Sequence, residues 1–382
     1  MESRPDISAG SVTPPIRVAI FIPHLAIGGS ELQLALLARG LKDRGFDPVV
    51  FTMESRHDVL DRLQAGGIET RLLPRRSKLG LDTVLALART ARSERFHIVH
   101  AWLWAANWRA AAAHVLSPRT HVVLSVRSLE EDLGRWHDAA YKALARLADA
   151  VIVNSRAVLE RSASRTGLPR TRYRVVRNGV EIERLEDAAR IPLPELREWR
   201  GTSVVGYLGS LAARKRIASL ARIAAALLPR VPEARFLVVG DGESRDELVS
   251  ECRKLGIEDR FLFAGHRSDV APWIAAMSVL VHPSRNEGSS NAVLEAQALG
   301  VPVVAYAVSG NLETILDGQT GILVPDDDET AFVASTAGLL LDPHRRHLMG
   351  SRAQAFIREE FSVRAMVDGT IAAYRSALGT AE

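Results

Sequence analysis

A single cysteine, Cys252, occurs in the whole chain. That excludes an internal disulfide framework and any metal site built from cysteines, and it fits a reducing compartment. No apolar run approaches the roughly 18–20 residues that a spanning helix needs. Residues 1–15 lack the apolar core of a secretory signal and read as a disordered lead-in, so a cytoplasmic protein is expected. No Gly-x-Gly-x-x-Gly follows the first strand or opens a helix after Phe236–Val239, which ranks a nicotinamide dehydrogenase last. No Asp-x-Asp triplet is read at a strand end, so a divalent ion bridging a diphosphate is not expected. Short-period repeats and low-complexity tracts are absent as well, and nothing points to nucleic acid.

What is present describes a two-domain globular chain. At 382 residues it is too long for one ordinary core, and its 47% apolar and 25% charged residues are globular averages. Charge is uneven: residues 1–185 hold 28 Lys and Arg against 19 Asp and Glu, a net of +9, and the remainder is −5. Two readings fit the basic half. One is an anionic partner such as a phospholipid surface or a phosphate-bearing acceptor; the other is a solvated surface, since 44 of 49 basic residues are Arg.

Strand and helix patterns alternate from Ile16–Ile22, through a Gly28-Gly29-Ser30 turn and a helix over Glu31–Leu41, to Ala150–Asn154. The alternation restarts at Val204–Gly209 and runs through Phe236–Val239, Phe261–Phe263, Val279–His282, Val301–Ala305 and Gly321–Val324. The fold class is therefore α/β, with two Rossmann-like domains of mainly parallel sheet facing a cleft. The expected division is a first domain over 16–185, a second over 186–360, and a final helix in 361–382 packing back on the first. The polar, proline-bearing stretch Glu183–Trp199 is placed as linker. Ligands in such sheets bind at the carboxyl ends of strands.

The sharpest motif runs from His282 to Ala296. A strand ends in a Gly/Ser/Asn loop and a helix begins near Asn291, with Glu287 and Glu295 separated by seven residues. Amide groups at the helix start can hold hydroxyls or an anion, and a carboxylate one turn in can accept both hydroxyls of a ribose. This element resembles the Glu-(seven residues)-Glu of family 4 retaining glycosyltransferases (glycosyl transferases group 1, GT-B fold). The resemblance implies that Glu287 lies near the transferred sugar and Glu295 binds the nucleotide ribose. Gly288, Ser289, Ser290 and Asn291 would complete the donor loop, with Ser289-Ser290 departing from the usual Gly-Phe-Gly.

Further motifs extend the likeness. Asn178-Gly179-Val180-Glu181 resembles the family's Asn-Gly-Val-Asp at the domain junction. Gly206 to Gly209 followed by Lys215 resembles Gly-Arg-Leu-(three residues)-Lys-Gly, which sets two cations on the donor diphosphate. Here the arginine is Ser210 and the last glycine Arg216, so Lys215 stands with Arg214 or Arg216 as the substitute cation. Gly240, in Gly240-Asp241-Gly242, matches a strand-end glycine turn, and His266-Arg267 falls at the nucleobase loop. Ser309–Glu313 and Asp317–Pro325 follow the family's Gly-Gly-x-x-Glu and Asp-Gly-x-Thr-Gly-Leu-Leu-Val. Gly28 and Gly29 would let the backbone approach the donor phosphate.

In the first domain, His100 ends a strand at the cleft, either as a catalytic group or as a packed core histidine. Arg127 stands where many relatives carry a histidine, facing the donor sugar or an acidic acceptor, or capping a helix. Trp102, Trp104 and Trp108 either stack on a sugar or lipid head group or belong to the core. The resemblance implies a retaining hexosyltransferase with a nucleotide-diphosphate sugar as co-substrate, no metal or other cofactor, and a glycan or lipid-linked acceptor. Cell-envelope glycan synthesis and peripheral contact with an anionic inner membrane face are the expected setting. A non-catalytic sugar-nucleotide-binding subunit and a nucleotide-sugar epimerase on the same fold are the alternatives.

Overall fold

The computed structural model describes residues 14–26, 28–54, 59–73, 75, 80–129, 135–199, 201–285 and 287–380; side chains at 135–137 and 214 lie outside that description. The strands are β1 (Arg17–Ile22), β2 (Asp47–Thr52), β3 (Glu69–Leu72), β4 (Ile98–Trp102), β5 (His121–Val126), β6 (Ala150–Val153) and β7 (Tyr173–Val175), then β8 (Val204–Leu208), β9 (Arg235–Val239), β10 (Phe261–Gly265), β11 (Val279–His282), β12 (Val303–Tyr306) and β13 (Gly321–Val324).

Two sheets result. The first has the order β3-β2-β1-β4-β5-β6-β7 and the second β10-β9-β8-β11-β12-β13. Every pairing is parallel, as Val18 opposite Ile98 and Val205 opposite Phe236 illustrate. Helices between the strands cover both faces, which is why β1, β4, β8 and β11 read as nearly unbroken apolar runs and are buried along their length. In each sheet the order reverses beside the first strand, opening a crevice at the carboxyl ends of the central strands.

The sequence reading marks no helix between β5 and β7, yet Arg135–Leu147 and Arg156–Thr166 are helical there. The supposed linker is also structured. Ile182–Ala188 is helical, Pro194–Trp199 forms a tight 3-10 turn, and the helix packs on Val270–Ala275 and Asn291–Ala298. Buried Ile182 and Leu196 anchor this otherwise polar stretch.

The final helix, Val363–Leu378, returns to the first lobe against helix Gly29–Asp43, β5 and β6. Met366, Val367, Ile371 and Tyr374 join the same core as Val18, Ile20 and Leu34. The chain thus crosses twice between lobes. The crossings are zipped together where Val180 N–H donates to Phe361 O at 2.8 Å and Val180 bridges Ser362. Among the described residues no helix is long and apolar enough to cross a membrane.

Candidate active site

The signalled residues converge at the carboxyl ends of the strands. Beyond β8 and β9, Gly209 and Gly240 have φ of 145° and 142°, and a Cβ on Gly240 would collide with the Gly209 carbonyl. Only glycine brings the two turns this close. Ser210 follows, exposed, its carbonyl accepting from the Tyr207 hydroxyl at 3.0 Å. Arg267 lies 4.5 Å over the Trp273 ring and donates to Ala264 O, beside exposed His266.

Lys215, at the end of a short 3-10 turn, forms an ion pair with Glu287 Oε1, the side chains being 12% and 13% exposed. Ser284 Oγ donates to the same oxygen at 2.9 Å. An acid and a base from two different loops are thereby held at one point, where the pair attracts strongly because little water screens it. His282, closing β11, is buried. Its pKa falls to about 3 through burial and the nearby Lys215 charge, and neither ring nitrogen finds a hydrogen-bond partner among the described residues.

Glu295 sits one turn into helix Asn291–Ala298. Burial raises its pKa to about 7, with only partial relief from Arg62 across the cleft, and it makes no hydrogen bond or ion pair among the described residues. A carboxylate so placed has its lone pairs open to incoming hydroxyls.

The candidate substitutes for the missing arginine divide. Arg214's side chain lies outside the described residues. Arg216 adopts a left-handed backbone (φ 57°), and its guanidinium is paired with Asp327. Arg285 pairs with Asp326 at 2.6 Å and also with Asp327. Asp326-Asp327-Asp328 is an Asp-x-Asp triplet just past β13, which corrects the sequence reading that none occurs at a strand end. Its first two carboxylates are matched to these arginines, and Asp328 Oδ1 accepts from Ala331 N at 2.8 Å to cap the next helix.

A polar network ties the lobes together under the cleft, and sequence reasoning missed it. Asn291 Nδ2 donates to Gly29 O at 3.2 Å, while Asn178 Nδ2 donates to Asn291 Oδ1 at 2.7 Å and to Ser289 O at 3.2 Å. Gln33 closes the ring by exchanging two 2.8 Å hydrogen bonds with the Gly179 backbone. Gly28 stands beside Glu31, whose carboxylate fills the space a Cβ would need and lies 3.3 Å from His24 Nδ1. Glu313 reaches from the second lobe to the first, accepting from Arg156 N and Ala157 N at 2.9 Å each, at the start of helix Arg156–Thr166. A carboxylate there satisfies unpaired amides and the helix dipole.

His100 is 1% exposed, and burial drives its pKa to about 3. Its ring nitrogens lie 2.7 Å from Tyr374 Oη and 2.8 Å from Ser125 Oγ, so both are engaged within the protein. It packs beside Trp102, the two rings 5.4 Å apart, as the packed-core reading expects. Trp102 is core; Trp104 packs with Tyr141, and Trp108 lies under Arg109. Arg127 ends β5 at the junction of the lobes, its Nη2 donating to Asn178 Oδ1 at 2.6 Å.

Two Rossmann-like lobes whose strand-end loops meet across a cleft define the GT-B class of glycosyltransferase, and the solved structures agree. A structure of Anabaena HepE in complex with UDP superposes with a TM-score of 0.81 over 93% of this chain and 98% of that one, at 23% identity. A glycosyltransferase from Rickettsia africae gives 0.82 over 96% and 99%, at 15% identity. In sequence, residues 27–184 match the glycosyltransferase family 4 description and residues 202–342 match glycosyl transferases group 1. The lipopolysaccharide core biosynthesis mannosyltransferase of Rhizobium leguminosarum bv. viciae is 32% identical over 64% of this chain and 69% of its own. The D-inositol 3-phosphate glycosyltransferase of Kribbella flavida is 27% identical over 92% of each. The chain belongs to the group 1, family 4 glycosyltransferases.

Proposed function

We propose that this glycosyltransferase moves a hexosyl group from a nucleotide-diphosphate sugar to an acceptor hydroxyl with retention of anomeric configuration, in the synthesis of a cell-envelope glycan. The observation that carries the reading is the pairing of Lys215 with Glu287 in the loop that leads into the helix bearing Glu295, whose raised pKa marks a carboxylate without protein donors. Glu295 accepts the ribose hydroxyls. The donor diphosphate takes Lys215 from Glu287, and the lysine with nearby backbone amides stabilises the charge that grows on the leaving group. Glu287, freed of its partner, addresses the transferred sugar. The departing phosphate takes the acceptor proton, so no separate protein base is required. No metal is needed, because Lys215 supplies the cation and Asp326 and Asp327 are already matched by arginines.

HepE's structures hold UDP and UDP-glucose, and the relatives named above act by their names in lipopolysaccharide core synthesis and on inositol 3-phosphate; these favour a UDP-linked donor and an envelope acceptor. The basic first half favours a cytoplasmic protein held peripherally at an anionic membrane face. The test is transfer or donor hydrolysis by purified protein, with Lys215→Ala and Glu287→Ala each lowering turnover by orders of magnitude while the melting temperature stays within a few degrees. Near wild-type turnover in either variant overturns the site. A non-catalytic nucleotide-sugar-binding subunit is the second reading, favoured by Ser210 and by the engagement of Arg216 with Asp327. Donor binding without any turnover would select it.

A further inference from the structure

Arg127 and Arg109 are both almost wholly buried without an ion pair among the described residues, yet they differ in their surroundings. Arg109 feels the negative charge of Asp82. Arg127 has no acidic neighbour among the described residues, and burial lowers its pKa, to about 9, which leaves it cationic at neutral pH. It is 9% exposed, its guanidinium carbon lies 4.5 Å over the Trp102 ring, and among the described residues its guanidinium donates only to an uncharged amide, Asn178 Oδ1. His100, packed beside Trp102, is held neutral by burial. Three cations of the second lobe, by contrast, have carboxylates: Lys215 has Glu287, and Arg216 and Arg285 have Asp326 and Asp327. A buried cation left without a counter-charge is costly, and an amide does not neutralise it.

The position of this charge is specific. The Arg127 carbonyl accepts from Asn154 Nδ2 at 2.9 Å, and a Cβ on Gly288 would lie 3.0 Å from that same carbonyl oxygen. The Glu287–Gly288 loop of the second lobe therefore rests on the backbone of residue 127. Asn178, which holds the guanidinium, also holds Ser289 and Asn291.

We propose that Arg127 is the docking point for an anionic group, a carboxylate or phosphate, carried by a substrate into the floor of the cleft. This rests on the reading of the cleft as a nucleotide-sugar site. A planar guanidinium binds either anion through two parallel hydrogen bonds, which a lysine cannot copy. The anion arrives either on the transferred sugar, as in a hexuronic acid, or on the acceptor.

Calorimetric titration of the full chain separates these sources. UDP, GDP and ADP first test the cleft for nucleotide binding. UDP-glucuronate is then compared with UDP-glucose, and glucose 6-phosphate with glucose in the presence of saturating nucleotide. The anionic member of one pair should bind roughly 10- to 100-fold more tightly, the span expected for charge-assisted hydrogen bonds. In Arg127→Gln that preference should collapse, and Arg127→Lys should restore part of it. Without ligand, Arg127→Gln should melt no lower than wild type, because the buried charge is gone; a merely structural arginine would lower it. A preference in the first pair places the anion on the transferred sugar, and one in the second pair places it on the acceptor. Equal binding within both pairs by the wild-type protein overturns the inference, even if Arg127→Gln does not fold. So does a preference that survives in Arg127→Gln. If no nucleotide binds the wild type, the nucleotide-sugar reading has failed and the inference falls with it.

Discussion

Replacing Glu295 with Gln should strengthen the unliganded fold and weaken donor binding at once. The folded-state pKa of about 7 stands against an ordinary 4.5, and burial is its main cause. A carboxyl with a raised folded pKa binds more protons folded than unfolded between those two values. Stability therefore falls as pH rises from 4.5 to about 7, and the full penalty persists above 7. At 1.36 kcal/mol per pH unit the gap corresponds to about 3 kcal/mol, an upper bound because a buried site relaxes. Glu295→Gln removes the charge, so at pH 8 it should gain up to about 3 kcal/mol, and at pH 5 less than about 1 kcal/mol. Losing hydrogen bonds from ribose hydroxyls to a charged acceptor should weaken nucleotide binding by roughly 10- to 100-fold. Wild-type affinity should also fall as pH drops below 7, and the variant's should not. Differential scanning calorimetry at pH 5 and 8, with nucleotide titrations at both, reads all of this. A variant less stable than wild type at pH 8, or one with unchanged nucleotide affinity, would refute the argument.

Three further outcomes follow from the packing. Gly288→Ala would set a methyl 2.7 Å from Asn154 Oδ1 and 3.0 Å from Arg127 O, so the lobes must separate there. A loss of about 1–3 kcal/mol in thermal unfolding and lower transfer are expected, and a neutral result would mean the loop does not rest on the first lobe. Asn178→Ala leaves Arg127 and Asn291 without their amide partner, which should cost about 1–3 kcal/mol and widen the unliganded particle in small-angle scattering. An unchanged profile would argue against a latch. Tyr374→Phe strips His100 Nδ1 of its buried partner and should cost about 1–3 kcal/mol in chemical unfolding, with transfer by the folded protein little changed. A large loss of turnover in folded protein would return His100 to the reacting set.

The sheets were legible because parallel strands buried on both faces must be written as short apolar runs, as Val18–Ile22 and Val279–Val281 are. Their carboxyl ends were legible for the same reason, and the Glu287 and Glu295 spacing marks a loop and a helix start. The helical turns within the linker stretch went unread because Ile182 and Leu196 are too few, among polar neighbours, to give a helical period. Gln33 carried no local signal, and Asn178, Asn291 and Glu313 stood in recognised motifs that gave no hint of their contacts across the lobes. Their roles depend on partners up to 262 residues away, as Gly29 is from Asn291, and only the folded chain brings these together. Arg216 looked like a free cation in the sequence; its partner Asp327 lies 111 residues on.

The central claim is that the cleft holds a nucleotide sugar through Glu295 and Lys215. Calorimetric titration of wild type, Glu295→Gln and Lys215→Ala with a panel of nucleotide sugars tests it most directly. One nucleotide sugar should bind the wild type at a single site, and both variants should bind it at least roughly tenfold more weakly. Failure of every nucleotide sugar to bind, or equal affinity in all three proteins, would contradict the account.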